Sequence, residues 1–164
     1  MSFNKGGFNL SPFNVVIESG ISYTSLTLLK CANWAEGPMH GGIATETSVD
    51  ILWDYISEYE NVNGMSDYRK CFIKNYGELS TGECNIRCSF ITPNAISGRI
   101  NAVVAIGTTS DSMANKPPDS SFGAALTTTI SPGESIPIWI KRTISAGGTG
   151  SYLGIQVIMS VSED

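Results

Sequence analysis

At 164 residues, with 15% charged side chains and a formal net charge of -5, the chain is long enough for one domain that buries a real core without staples. No Lys/Arg-dense run is available to displace counterions from a phosphate backbone, so nucleic acid is not an expected partner. No apolar run approaches the roughly 18–20 residues that span a bilayer, so no membrane span is expected either.

Residues 1–14 hold a short repeat, in which Phe3-Asn4, Phe8-Asn9 and Phe13-Asn14 recur every five residues. That period suits neither helix nor strand, and Gly6, Gly7, Ser11 and Pro12 break regular structure between the pairs. The stretch reads as an extended N-terminal docking arm. Phe3, Phe8 and Phe13 are its anchors, and Asn4, Asn9 and Asn14 can hydrogen-bond exposed backbone and set its register. No basic head with an apolar core precedes the domain, so no signal peptide is expected, and folding in the cytosol follows.

A single domain is expected over residues 15–164. Val15, Val16 and Ile17 read as a first strand, and residues 23–31 as a second. Residues 37–42 read as a Gly-rich loop that carries His40, the one histidine, taken as a solvated polar residue. Residues 49–59 fit either period. Ile51, Leu52, Tyr55, Ile56 and Tyr59 have helical spacing, whereas Ile51, Trp53 and Tyr55 alternate as in a strand, and a strand over 51–55 is preferred. Asp50, Asp54, Glu58 and Glu60 lack the spacing of a calcium loop and read as a solvated acidic edge.

Residues 67–75 form a strand by composition, with Tyr68, Phe72 and Ile73 between turn signals. Asp67, Arg69, Lys70 and Lys74 predict that one of its faces is wet. In residues 83–91, Cys84, Ile86, Cys88 and Phe90 alternate with polar residues, the clearest half-buried strand of the chain. Residues 100–107 follow with Ile100, Ala102, Val104 and Ile106 on one side, and the two strands read as a hairpin pair. Residues 108–122 are the longest stretch without a predicted element. A Thr-rich strand over 125–130 and a strand over 135–143 come next, the second placed at a sheet edge by Pro137. The last strand, within 152–161, sets Leu153, Ile155, Val157, Met159 and Val161 on the core side. The chain ends three residues later, so no C-terminal domain is expected.

The fold class is therefore all-β: an antiparallel β-sandwich, Ig-like or jelly-roll-like, behind the extended arm. Cys84 and Cys88 lie in one strand about 13 Å apart at ~3.3 Å per residue, too far for a disulfide. Without CxxC or Cys/His spacing the four cysteines read as free, buried small hydrophobes. There is no GxSxG, HExxH or P-loop, and His40 has no nucleophile at recognisable spacing, so neither an enzyme nor a cofactor or metal site is expected.

Two stretches carry a resemblance. Gly64-Met65-Ser66-Asp67-Tyr68-Arg69-Lys70-Cys71-Phe72-Ile73-Lys74-Asn75 resembles the Gly-x-Thr-Glu-Tyr-Arg-Cys-x-Tyr-Val-Lys-Asn stretch of a family of small tailed-phage virion proteins. Residues 133–143, from Gly133 through Ile138-Trp139-Ile140-Lys141-Arg142-Thr143, resemble that family's Gly-x-x-x-x-(Val/Ile)-Trp-(Leu/Ile)-(Lys/Arg)-Arg-Thr stretch. The Phe-Asn arm is similar to the Phe-rich N-termini of phage tail and decoration proteins. Together these cover roughly residues 1–14 and 64–161. One departure is that the family's Cys follows Arg directly, whereas here it stands one place later, at Cys71.

The resemblance implies a non-enzymatic structural protein of a tailed-phage virion, made in host cytoplasm and present in many copies. It would be a homo-oligomer that meets other virion proteins through the arm. A tail-tip, fibre or baseplate-associated place is preferred, with a capsid decoration protein on the head surface as the alternative. A carbohydrate-binding module for a host surface glycan is a further class, for which Trp34, Trp53, Trp139 and the tyrosines are the available aromatic residues.

Overall fold

A computed structural model describes residues 15–19, 26–33, 41–49, 52–53, 55–92, 96, 98–107, 116–152 and 156–163. Among these described residues, nine strands and one short α-helix are ordered β1 (Val15–Ser19), β2 (Leu26–Asn33), β3 (Gly41–Ser48), α1 (Glu58–Asn63), β4 (Met65–Asn75), β5 (Cys84–Ile91), β6 (Ile100–Ile106), β7 (Leu126–Thr128), β8 (Ser135–Ile144) and β9 (Gln156–Glu163). They form two sheets, a four-stranded one in the order β1-β9-β5-β7 and a five-stranded one in the order β3-β2-β4-β8-β6. All pairings are antiparallel except β1 against β9, which is parallel.

From β4 onward each successive strand lies in the opposite sheet. This alternation makes each of those connections cross from one sheet of the sandwich to the other. It also corrects the expected β5–β6 hairpin, since these strands belong to different sheets and face each other across the core. That core is the apolar stripe of both sheets. Cys84, Ile86, Cys88, Val157, Met159 and Val161 come from one sheet, and Leu28, Cys71, Ile73, Val104, Ile136, Ile138 and Ile140 from the other. The period-2 alternation of β5 and β9 thus translates directly into burial.

Four other expectations are corrected. β3 begins at Gly41, so Gly41 and Gly42 belong to a strand rather than a loop. The preferred strand over 51–55 is not found among the described residues there. Ile56 makes a single bridge to Tyr152, and α1 follows at once. Ser57 caps α1 through a complete capping box, in which its hydroxyl accepts from Glu60 N (3.1 Å) and its own N–H donates to Glu60 Oε2 (2.8 Å). Ile106 does not join its stripe in the core, being 53% exposed at the end of β6.

Pro137 lies in an interior strand, not an edge strand, because β8 sits between β4 and β6. It is tolerated there because β6 pairing ends at Ile106↔Ile138, one residue short of it. Beyond that point Pro137 uses its carbonyl, which accepts from Gly107 N (2.9 Å), so the missing N–H breaks no rung of the ladder.

Candidate functional site

The arm residues Phe3, Phe8, Phe13, Asn4, Asn9 and Asn14 lie outside the described residues, as do His40, Trp34, Asp50 and Asp54. Trp53 and Trp139 are each 1% exposed and present no aromatic surface, Trp53 within the core between the sheets and Trp139 on the other face of the five-stranded sheet, opposite Lys70. The polar constellations of the described residues are built largely on β4, whose alternate side chains leave on opposite faces of its sheet.

Inside the sandwich, Asp67 and Arg69 are 4% and 7% exposed, which corrects the expectation of a wet charged face. Arg142, on the paired strand β8, is 2% exposed and donates from Nε and Nη2 to Asp67 Oδ1 and Oδ2, each at 3.0 Å. Its Nη2 also lies 3.5 Å from Glu60 of α1. Arg69 donates from Nε to the Leu52 carbonyl (3.1 Å) and from Nη1 to the Tyr68 carbonyl (3.0 Å), and its Nη1 stands 3.7 Å from Asp67 Oδ2. Both guanidinium groups lie over the Trp53 ring, at 5.0 Å for Arg142 and 5.6 Å for Arg69. Two cations and two carboxylates balance, and a bidentate Arg–carboxylate fork with π contact is the arrangement that makes such burial tolerable. The cluster ties β4, β8, α1 and the Leu52–Trp53 segment together. Arginine does not exchange protons near neutral pH, so its role is positional rather than acid–base.

On the outer face of the same sheet, Tyr68 donates its hydroxyl to Asp119 Oδ1 (2.6 Å). Asp119 opens a single 3-10 turn, Asp119–Ser121, within the stretch read from sequence as lacking an element. Lys116 Nζ sits 4.1 Å above the Tyr68 ring and 3.7 Å from Asp119, and Lys141 Nζ is 3.4 Å from Asp119. The hydrogen bond to Asp119, with burial and the charge of that carboxylate, raises the Tyr68 phenol to about 12. The same bond leads the causes that lower Asp119. A second surface group joins Glu46 of β3 to Lys74 (2.9 Å) and to the Tyr76 hydroxyl. Lys70 also leaves on this face yet is 1% exposed, with its Nζ 5.3 Å from the Phe72 ring centre.

At one end of the sandwich, α1 is clasped by the 145–152 segment. Asn61, fully buried, donates from Nδ2 to the carbonyls of Thr149 (2.8 Å) and Gly150 (3.0 Å). Its own carbonyl accepts from Gly148 N (2.9 Å) and from Arg99 Nη2 (2.9 Å), which also reaches the Ser145 carbonyl (2.8 Å). Gly147 N donates to the Val62 carbonyl (3.0 Å), and Ile56 and Tyr152 exchange both backbone bonds. A Cβ on Gly148 would overlap Arg99 and Asn61, so the clasp closes only around glycine. On the solvent side of this segment Tyr55, Tyr59 and Val62 are 46%, 76% and 44% exposed.

Sequence reasoning missed both the clasp and the buried cluster. The capping box Ser57-x-x-Glu60 was the local signal available for α1. No local signal pairs Asp67 with a residue 75 positions away.

Cys31, Cys71, Cys84 and Cys88 are free and buried. Burial pushes the Cys71 and Cys88 thiols up, away from the reactive thiolate. Among the described residues no group of His, Cys, Asp and Glu is arranged to hold a metal ion. Comparison with models of known protein families and with curated proteins gives no match for this chain.

Proposed function

We propose that the protein is a non-enzymatic structural module of a tailed-phage virion, a tail-tip, fibre or baseplate-associated part held in many copies by its N-terminal arm. One observation carries the reading. The two stretches that resemble the virion family are hydrogen-bonded neighbours, paired from Met65↔Ile144 to Lys74↔Ser135. The acid and the arginine of the resembling patterns, Asp67 and Arg142, meet there as the buried bidentate pair. A pattern whose parts converge on one structural unit is harder to obtain by chance than two isolated matches. The cysteine departs from the pattern in geometry as well: one place later, Cys71 faces inward with Asp67 and Arg69, whereas the position directly after Arg69 is Lys70 on the opposite face.

The arm supplies the attachment. Full burial of a Phe side chain is worth roughly 1.5–3 kcal/mol, so three give a few kcal/mol once ordering of the arm is subtracted. That is weak for one copy and sufficient in a ring or lattice where each subunit is held more than once.

The test is made on purified particles of a phage that encodes the protein. Mass spectrometry is expected to find it in multiple copies per particle, and immunogold labelling to place it on the tail. Labelling of the head surface would make it a decoration protein instead. A chain lacking residues 2–14 is expected to fold normally and to be missing from particles. Absence of the full-length protein from particles overturns the reading, and normal incorporation of the truncated chain overturns the role of the arm.

A further inference from the structure

The outer face of the five-stranded sheet carries a band that is as buried as the core. The register sets Leu29 and Cys31 of β2, Lys70 and Phe72 of β4, Trp139 of β8 and Ala105 of β6 on this one face. Each is 1% or 2% exposed, and Leu29, Cys31 and Phe72 form an apolar cluster separate from the one between the sheets. The described contacts above the sheet stand at the margins of the band. Lys116, Asp119 and Phe122 gather on Tyr68, and Glu46, Lys74 and Tyr76 lie at the opposite end. A face buried between more exposed margins has a third layer of chain across it. We propose that residues 108–115 are that layer, docked across β8, β4 and β2 with the Asp111 carboxylate on Lys70.

Both ends of the segment are seated on this face. Gly107 donates its N–H to the Pro137 carbonyl (2.9 Å), and a Cβ on it would stand 2.8 Å from the Trp139 indole. At the other end, Lys116 holds its Nζ 4.1 Å above the Tyr68 ring. The chain from Gly107 to Lys116 reaches about 30 Å at ~3.3 Å per residue. The path from β6 out to β2 and back to β4 crosses strand spacings of ~4.8 Å, about 19 Å in all. The segment is thus long enough to cover the whole band and return. Residues 1–14 instead enter at β1, an edge of the other sheet, and residues 34–40 leave at the Asn33↔Gly41 end of the β2–β3 pair.

Charge selects the same occupant. Lys70 is a cation in an apolar setting, beside the Phe72 ring (5.3 Å) and across the ladder from Trp139. An ammonium group held there calls for a carboxylate. Asp111 is the one acidic residue of 108–115 and stands midway along it, with Met113 and Ala114 as its apolar residues. The remaining Thr, Ser and Asn side chains are short and polar, and suit a segment that is wet on one side. With this layer in place, the band offers no open apolar surface to another molecule.

The inference is independent of the virion reading, since it concerns contacts within one chain. Cys31 reports from the outer face, whereas Cys71, Cys84 and Cys88 lie between the sheets. Full-length protein is labelled in its native state with a small thiol reagent, and the rate at each cysteine is read by mass spectrometry. Slow labelling is expected at all of them. With residues 109–114 replaced by Gly and Ser, Cys31 is expected to react roughly tenfold faster while the three inner cysteines stay slow. Asp111→Ala is a milder change that keeps the test open if the replaced segment prevents folding, and it is expected to speed Cys31 severalfold. A chain lacking residues 2–14 is expected to keep Cys31 slow. Rapid labelling of Cys31 in the unaltered protein, no acceleration in Asp111→Ala, or acceleration only on removal of residues 2–14 each overturns the proposal.

Discussion

Asp67 and Arg69 leave β4 toward the interior, whereas Tyr68 and Lys74 leave the same strand outward, and both sets enter ion clusters of similar composition. The inner set joins Asp67, Arg69, Arg142 and Glu60 around Trp53, with the first three less than 10% exposed. The outer set joins Tyr68 to Asp119, Lys116 and Lys141, and Asp119 is 61% exposed. In the interior, loss of one partner strands a charge where water cannot replace it. On the surface, water and salt take the place of a lost partner. One strand thus carries a structural ion cluster on one face and an adjustable one on the other.

The largest expected effect is on the inner face. Arg142→Met leaves Asp67 buried without its bidentate partner and is expected to cost about 3–5 kcal/mol in urea unfolding. The double variant Asp67→Leu/Arg142→Met is expected to recover part of that loss, because no buried charge is left alone. A single change that costs no more than a surface substitution would break the comparison.

Lys70 sharpens the comparison, because it faces outward yet is 1% exposed. If burial rather than the choice of face governs the energetics, Lys70→Ala is expected to cost about 1–3 kcal/mol, through lost packing of its long stem together with the lost contacts of its buried head. A negligible change in the unfolding midpoint would assign the difference to the face instead.

On the outer face, Asp119→Asn is expected to change the melting temperature little and to move the Tyr68 phenol from about 12 down toward 10, as read by ultraviolet titration. The folded-state value of Tyr68 is raised, so its bond to Asp119 stabilises the fold fully below pH 10 and is lost as pH rises through 12. Asp119 has the opposite sense. Its folded-state value is lowered, so its contribution is present above the ordinary carboxylate range and is lost as pH falls through the lowered value. A Tyr68 titration that ignores Asp119→Asn would remove the outer cluster from the comparison.

The smallest effect is expected for Glu46→Gln. It relaxes the raised Tyr76 and Lys74 values toward ordinary ones, as followed by NMR titration, and leaves thermal unfolding within the scatter of the measurement. A clear drop in melting temperature would show that the Glu46 group ties β3 to β4 more firmly than its exposure implies.

What the sequence determined by itself is the set of strands whose signal is local. Cys84, Ile86 and Cys88 alternate with polar residues, and Val157, Met159 and Val161 recur at every second position, so an extended chain turns that period directly into one buried face. The all-β class follows from such segments. Ser57-x-x-Glu60 was equally local, but the apolar spacing of 49–59 supported two periods, and the described residues among 51–55 follow neither, the helix beginning only at Glu58. Only the tertiary structure decided which charges are buried. Asp67 and Arg69 read as a wet face because a charged residue is ordinarily solvated, and that rule fails only when a partner arrives from far along the chain. Here the partner is 75 residues away, brought alongside when β8 pairs with β4 across an interior position of the sheet. Pro137 was misplaced for the same reason, since its fitness for an interior strand depends on where the neighbouring β6 stops. The clasp on α1 was illegible too, because Asn61, Arg99 and Gly148 lie far apart along the chain and meet only in the folded structure. Periodicity is a property of adjacent residues. Burial of charge is a property of pairs, and folding alone chooses the pairs.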